Sequence, residues 1–350
     1  MRRIAIFQRD LGVGGIQRAL LNLLCHIDLT KYHIDLYLCD RDGFSESSFP
    51  PEVCIHYTSR LPYWCRFVPF GLLHRFFPRP KITEHYDVAI DFGGDHNETA
   101  LDCLRCPADK HILFCHNDLG AKYKYNCKYR ILFAFFKRKF SYFDEFVAVS
   151  KGIVPPFRQL TGIQDKPVFA IPNYIDVSGI LEKKEEKIDF SVNPHCCNLV
   201  AVGRMCHQKG FDLLLKDFSK ASKSRQDLHL YFIGDGPDRS QLEQLIAEYH
   251  LKSQVTMLGS RPNPYPYMDQ MDALVVPSRF EGQPVTVQEA RVLGLKILAA
   301  KHLEKYDIFV PGVDDMVSAL TSFQKAPKTP NRLEDYNASI LQKLDELLCR

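Results

Sequence analysis

The sequence predicts an α/β protein of two Rossmann-like domains, each a parallel sheet wound on both faces, facing one another across a cleft. Three observations lead there. Short, branched apolar runs alternate with segments of helical period along nearly the whole chain, and the rhythm occurs twice over. A charged, strand-poor stretch at 177–194, containing Lys183-Lys184-Glu185-Glu186-Lys187, separates the two series. At 350 residues the chain is also long for a single core.

The first series has strands at 3–8, 33–39, 86–92, 111–115, 145–150 and 168–172, with helical patterns such as 16–26 and 151–160 between them. Its opening, Arg2-Arg3-Ile4-Ala5-Ile6-Phe7, has an apolar core too short for a signal peptide and reads as the first strand. The second series has strands at 199–203, 230–233, 255–258, 273–277 and 296–300. Among these, Ala273-Leu274-Val275-Val276 has the length and branching of a buried parallel strand. A last helical pattern carries Ile340, Leu341, Leu344, Leu347 and Leu348. The expected division is an N-terminal domain at 1–176, a linker at 177–194, a C-terminal domain at 195–332, and a helix at 333–350 packing back toward the N-terminal domain.

Hydrophobic residues at 45% and charged residues at 25% are ordinary for a globular protein. No apolar run approaches the roughly 20 residues that span a bilayer. Net charge is only +3, but residues 1–172 hold 23 Lys/Arg against 18 Asp/Glu and residues 173–350 hold 22 against 24, so the halves differ in sign. Twelve cysteines without a signal peptide do not make a disulfide framework in a chain of this size, so a reduced, cytoplasmic protein is expected. Cys103-Leu104-Arg105-Cys106, near Cys115-His116, is a single C-x-x-C without a second pair, a weak zinc signal.

The most telling stretch is Ser278-Arg279-Phe280-Glu281-Gly282-Gln283-Pro284-Val285, running on to Glu289. It sets Glu281 on the loop at the carboxyl end of a strand, where open α/β sheets bind ligands, and Glu289 in the helix after Pro284. Ionised carboxylates only accept hydrogen bonds, so two of them suit sugar hydroxyls. Taken alone, the pair reads first as a turn cap and a solvated helix residue. Val202-Gly203-Arg204, followed by Lys209-Gly210, puts two cations five positions apart at another strand end. That spacing suits a diphosphate, Arg through its fork and Lys as a point charge. Gly12-Val13-Gly14-Gly15 lets backbone amides approach an anion at a helix N-terminus, but it is no dinucleotide fingerprint.

These motifs, together with Ile233-Gly234-Asp235-Gly236-Pro237 and Val255-Thr256-Met257-Leu258-Gly259, resemble in order family 4 of the retaining, nucleotide-sugar-dependent glycosyltransferases, which have the GT-B fold. Gly14-Gly15, Phe114-Cys115-His116, Ala148-Val149-Ser150-Lys151-Gly152 and Ile171-Pro172-Asn173 are similar to signposts of that family's first half. The resemblance spans about residues 3–300 and is strongest in 199–300. It implies that Arg204 and Lys209 hold the donor diphosphate, that Glu289 binds the ribose, and that Glu281 meets the transferred sugar beside the backbone of Gly282, Gln283, Pro284 and Val285. Gly14 and Gly15 would close on the phosphates, and His116 would contact the sugar or acceptor. The implied catalytic set is therefore Glu281, His116, Arg204 and Lys209.

The implied activity moves a sugar from a UDP- or GDP-linked donor to a glycan or lipid-linked saccharide in cell-surface polysaccharide assembly. No cofactor and no metal are expected, because two cations and a helix N-terminus can balance the charge that develops on a leaving diphosphate. Two other readings stand beside it: a non-catalytic sugar-nucleotide-binding partner subunit, and a sugar-nucleotide epimerase or phosphorylase of related fold. The chain departs from the family at 301–311, which lacks glycine, and at Lys296, where a proline is common.

Segments 60–81 and 122–140 contain no acidic residue and interleave lysine and arginine with aromatics. Such surfaces suit an anionic lipid face, here the inner membrane, although a helix with a buried aromatic side and solvated lysines reads the same way. Nucleic acid is not expected.

Overall fold

A computed structural model describes residues 1–12, 14–43, 45–79, 81–94 and 96–350. The chain divides into two compact units, Met1–Tyr174 with Asp335–Arg350, and Ile175–Glu334. The first holds a parallel sheet of β1 (Arg2–Gln8), β2 (Tyr32–Leu38), β3 (Val53–Tyr57), β4 (Tyr86–Asp91), β5 (Ala108–Cys115), β6 (Glu145–Ala148) and β7 (Val168–Ala170), ordered β3-β2-β1-β4-β5-β6-β7. The second holds β8 (Cys197–Val202), β9 (Leu228–Ile233), β10 (Val255–Gly259), β11 (Ala273–Val276) and β12 (Lys296–Ala299), also parallel, ordered β10-β9-β8-β11-β12. Strand order reverses between β1 and β4 and again between β8 and β11. Crevices outside the carboxyl ends of strands form at such points.

Central strands are apolar on both sides because helices cover both faces. Ile4, Ala5, Ile6 and Phe7 of β1 are all buried, as are all four residues of β11. The helix Glu334–Cys349 lies in the first unit, where Ile340, Leu344, Leu347 and Leu348 join the core of β1, β2 and β4. Arg2 ties down its end by donating to the carbonyls of Leu348 and Cys349 at 2.9 and 2.8 Å, satisfying acceptors that a helix terminus leaves open.

Two elements differ from expectation. The stretch read as a linker opens with a helix, Val177–Lys183, capped by the Asp176 carboxylate accepting from the Gly179 amide at 2.9 Å, and it belongs to the second unit. Strand β3 was not foreseen; Val-Cys-Ile-His-Tyr alternates with solvent along the edge of the sheet.

The basic segments are only partly surface. Arg79 grips Asp102 through two bonds of 2.6 and 2.5 Å, both side chains being 2% exposed. Lys139 is wholly buried and donates to the carbonyl of Gly94 at 2.6 Å. All twelve cysteines are free thiols, and burial pushes the Cys106 thiol up to about 12. Among the described residues no helix is long and apolar enough to cross a membrane.

Candidate active site

The second unit gathers its functional side chains where β8 and β11 end. After β8 the chain passes Arg204 and makes a single tight turn, His207–Lys209, before the helix Phe211–Ala221. Gly210 joins turn to helix at φ +65°, and a Cβ there would stand 2.4 Å from the carbonyl oxygen of Pro277. Only glycine lets this turn lie against the end of β11.

The contact is clamped from both sides. The Arg279 amide donates to Gln208 at 2.8 Å, the Gln208 amide side chain donates to the Phe280 carbonyl at 3.2 Å, and the Arg279 guanidinium forks onto Asp212 at 2.7 and 2.6 Å. The fork holds the Asp212 carboxyl below its ordinary value. A depressed carboxylate stabilises above its unfolded pKa, so the clamp stands at neutral pH and weakens only as acid passes through the lowered value.

Within this frame Lys209 Nζ donates to Glu281 Oε1 at 2.8 Å, and Ser278 Oγ donates to the same oxygen at 2.6 Å. Glu281 is buried and Lys209 half-buried. Because both bonds fall on one oxygen, Oε2 keeps acceptor capacity for another group. His302 Nε2 lies 2.8 Å from the Ser278 carbonyl oxygen and steadies that turn. Arg204 has an exposed side chain on a fixed backbone, since its neighbours Gly203 and Met205 donate to Ile233 and Asp235, each at 2.9 Å.

Gly282, Gln283 and Pro284 form a buried loop leading to the helix Val285–Leu293. Glu289, in that helix, is buried rather than solvated and accepts from the Tyr265 hydroxyl at 2.8 Å. In the first unit, Gly14 and Gly15 begin the helix Gly15–His26 after β1, while Val13 of the same run lies outside the described residues. His116 follows β5, its ring 4.7 Å from Phe92 and 6.0 Å from Phe114. Arg204, Lys209, Glu281 and Glu289 thus belong to one unit, and Gly14, Gly15 and His116 to the other.

Sequence reasoning passed over Tyr265 and His302, whose partners lie in other segments, and over the Ser278 hydroxyl, whose bond to Glu281 depends on the shape of the turn between them. It also passed over an Asp-x-Asp, Asp40-Arg41-Asp42, in expecting metal independence; here Arg60 pairs with both carboxylates. In the glycine-free 301–311 region a short helical turn, Lys301–Tyr306, is followed by Asp307 and Phe309 at φ +54° and +58°, left-handed positions that glycine usually fills.

Residues 184–343 match the family described as glycosyl transferases group 1. The chain is 24% identical over 247 residues to an uncharacterized glycosyltransferase of Methanocaldococcus jannaschii, a match covering 66% of this chain and 60% of that protein. It is 26% identical over 319 residues to the N-acetylgalactosamine-N,N'-diacetylbacillosaminyl-diphospho-undecaprenol 4-alpha-N-acetylgalactosaminyltransferase of Campylobacter jejuni, covering 86% of this chain and 81% of the relative. HepE of Anabaena, solved in complex with UDP and glucose, has a TM-score of 0.70 at 15% identity, with 100% of both chains covered. Residues 184–343, a little under half of the chain, thus resemble the glycosyl transferases group 1 family, and the two doubly wound parallel sheets, like those of HepE, give the chain the GT-B fold.

Proposed function

We propose that the protein transfers a sugar from a UDP- or GDP-sugar to a lipid-linked or polymeric saccharide, with retention of configuration and without a metal, in surface-polysaccharide assembly. The observation that carries this reading is the Lys209–Glu281 pair at the reversal of strand order in the second sheet, with Arg204 on the same strand-end loop. Arg204 and Lys209 take the diphosphate, Glu289 the ribose hydroxyls, and Glu281 with the 282–285 backbone the sugar. Gly14 and Gly15 approach the phosphates, and His116 the sugar or acceptor. HepE, crystallised with UDP and glucose, supports the donor class, and the Campylobacter relative, named for a diphospho-undecaprenol substrate, supports the acceptor class.

Cleavage of the donor's glycosidic bond builds negative charge on the leaving diphosphate, and preorganised cations lower that barrier without reorganising. The acceptor hydroxyl attacks from the face the leaving group vacates, and a phosphate oxygen takes its proton. Glu281 then acts as a positioning and electrostatic group at the sugar. Nucleotide release from UDP- and GDP-sugars, with and without lipid-linked saccharide and with no Mg²⁺ or Mn²⁺ added, tests the reading. Acceptor-dependent release is expected; donor binding without turnover in every mixture would instead indicate a non-catalytic subunit.

Glu289→Ala is expected to weaken donor affinity by roughly 1.5–3 kcal/mol, the usual worth of a hydrogen bond to a charged group. Titration calorimetry with the cognate nucleotide checks it, and an unchanged affinity sinks the ribose assignment.

The acceptor side rests on the first unit. Among the described residues, eight of the eleven large hydrophobic side chains that are exposed fall between 63 and 142, including Tyr63, Trp64, Phe67, Phe76 and Ile131. Exposed Arg66, Arg75, Lys124, Lys128, Arg130 and Arg138 accompany them, whereas Arg79 and Lys139 are interior and drop out of the surface. Beside this surface a cavity of about 460 Å³ is lined by Arg9, Arg60, Arg66, His96 and Lys122 against, among the described residues, a single carboxylate, Glu98, a setting for a phosphate-bearing acceptor. The protein is expected to float with anionic liposomes at low salt and to be released as salt screens the charges. Absence of binding at low salt removes the membrane-docking idea.

A further inference from the structure

A second cluster, on the first sheet, is used by none of this chemistry. In the parallel pairing of β2 with β3, Asp35 stands opposite Cys54 and Tyr37 opposite His56. Since side chains alternate along a strand, His33 and Asp35 of β2 and Cys54 and His56 of β3 share one face. The ligand atoms of His33, Asp35 and Cys54 lie within 4.8 Å of one another.

We propose that His33, Asp35 and Cys54 form a zinc site. Imidazole nitrogen, carboxylate oxygen and thiolate sulfur are the three donor types zinc takes, at bond lengths of roughly 2.0–2.3 Å. Tetrahedral ligand atoms at those bond lengths stand roughly 3.5 Å apart, so small side-chain rotations close the site. Asp35 is held in place beforehand. Tyr86 donates to its Oδ2 at 2.9 Å, and His56 Nε2 lies 2.7 Å from its Oδ1. Such partners orient a ligating carboxylate. Asp35 is buried, while Cys54 is exposed and His33 half-exposed, which gives an ion a path from solvent. Arg3, 3.9 Å from Asp35, opposes the metal charge, but a thiolate and a carboxylate together neutralise it. A bound ion would pin the half-polar edge strand β3 to β2, and the site shares no residue with Lys209, Glu281 or Glu289.

The test uses the full chain, stripped by chelator under reducing conditions and titrated with Zn²⁺ and with Co²⁺. One tight equivalent is expected, with a thiolate-to-cobalt charge-transfer band, tetrahedral d–d absorption and a raised melting temperature on adding zinc. Cys54→Ser and His33→Ala should each lose the band and the thermal shift, while Cys25→Ser, at another exposed cysteine, keeps both. Far-UV spectra of the metal-free variants matching wild type verify that folding is intact. A wild-type protein without the band, or a band that survives in both Cys54→Ser and His33→Ala, overturns the site.

Discussion

Lys209→Ala is expected to lower turnover by about 100- to 1000-fold, the usual cost of removing one preorganised group from a developing oxyanion. Two effects combine. The leaving diphosphate loses a positive charge that sits in a half-buried position, where it is less screened than in water. The buried Glu281 carboxylate also loses the ammonium 2.8 Å from Oε1, keeping only the Ser278 hydroxyl. Lys209→Arg restores the charge but not the point geometry, so partial recovery is expected. Single-turnover donor cleavage separates this from weakened binding. Stranding the buried Glu281 carboxylate is also expected to lower the melting temperature, so the rates are compared well below the variant's unfolding transition. A rate near that of wild type contradicts the assignment.

Asp102→Ala is expected to destabilise the first unit by about 3–5 kcal/mol, because it strands a guanidinium that is almost wholly buried. Arg79 would keep only its 3.2 Å contact to Ser59. The same pair fastens the chain after the helix Phe70–Phe76 to the helix Asn97–Arg105, so the exposed aromatic surface should loosen along with it. Denaturant unfolding measures the loss. Replacing both partners with apolar residues of similar volume should recover most of the stability, as burial without charge is nearly neutral. A small effect of Asp102→Ala alone would mean that water reaches the guanidinium.

How far the sequence carried the fold depended on local signals. β9 and β11 were legible because buried parallel strands leave unbroken apolar runs, here 230–233 and Ala273–Val276. β3 was not, since an edge strand spends half its residues on solvent and Val53–Tyr57 follows two prolines. The helix Val177–Lys183 hid behind Gly179 and the charge run after it, although Asp176 was a readable N-cap.

At the site, spacing exposed Arg204, Lys209, Glu281 and Glu289 as candidates but not their pairing. Lys209 and Glu281 are 72 positions apart and meet only because β8 and β11 are neighbours in the sheet. Tyr265 reaches Glu289 from the start of a short helix, Tyr265–Met268, with no motif of its own. The basic-aromatic segments showed their composition but not their orientation, which is why Arg79 and Lys139 looked like surface cations.

The most direct test of the donor-site assignment is a crystal structure of the protein with its cognate nucleotide-sugar or the free nucleoside diphosphate. The diphosphate is expected against Arg204 and Lys209, with the ribose hydroxyls on Glu289 and the sugar toward Glu281. A diphosphate bound away from the ends of β8 and β11, or a ribose bound away from Glu289, would contradict it.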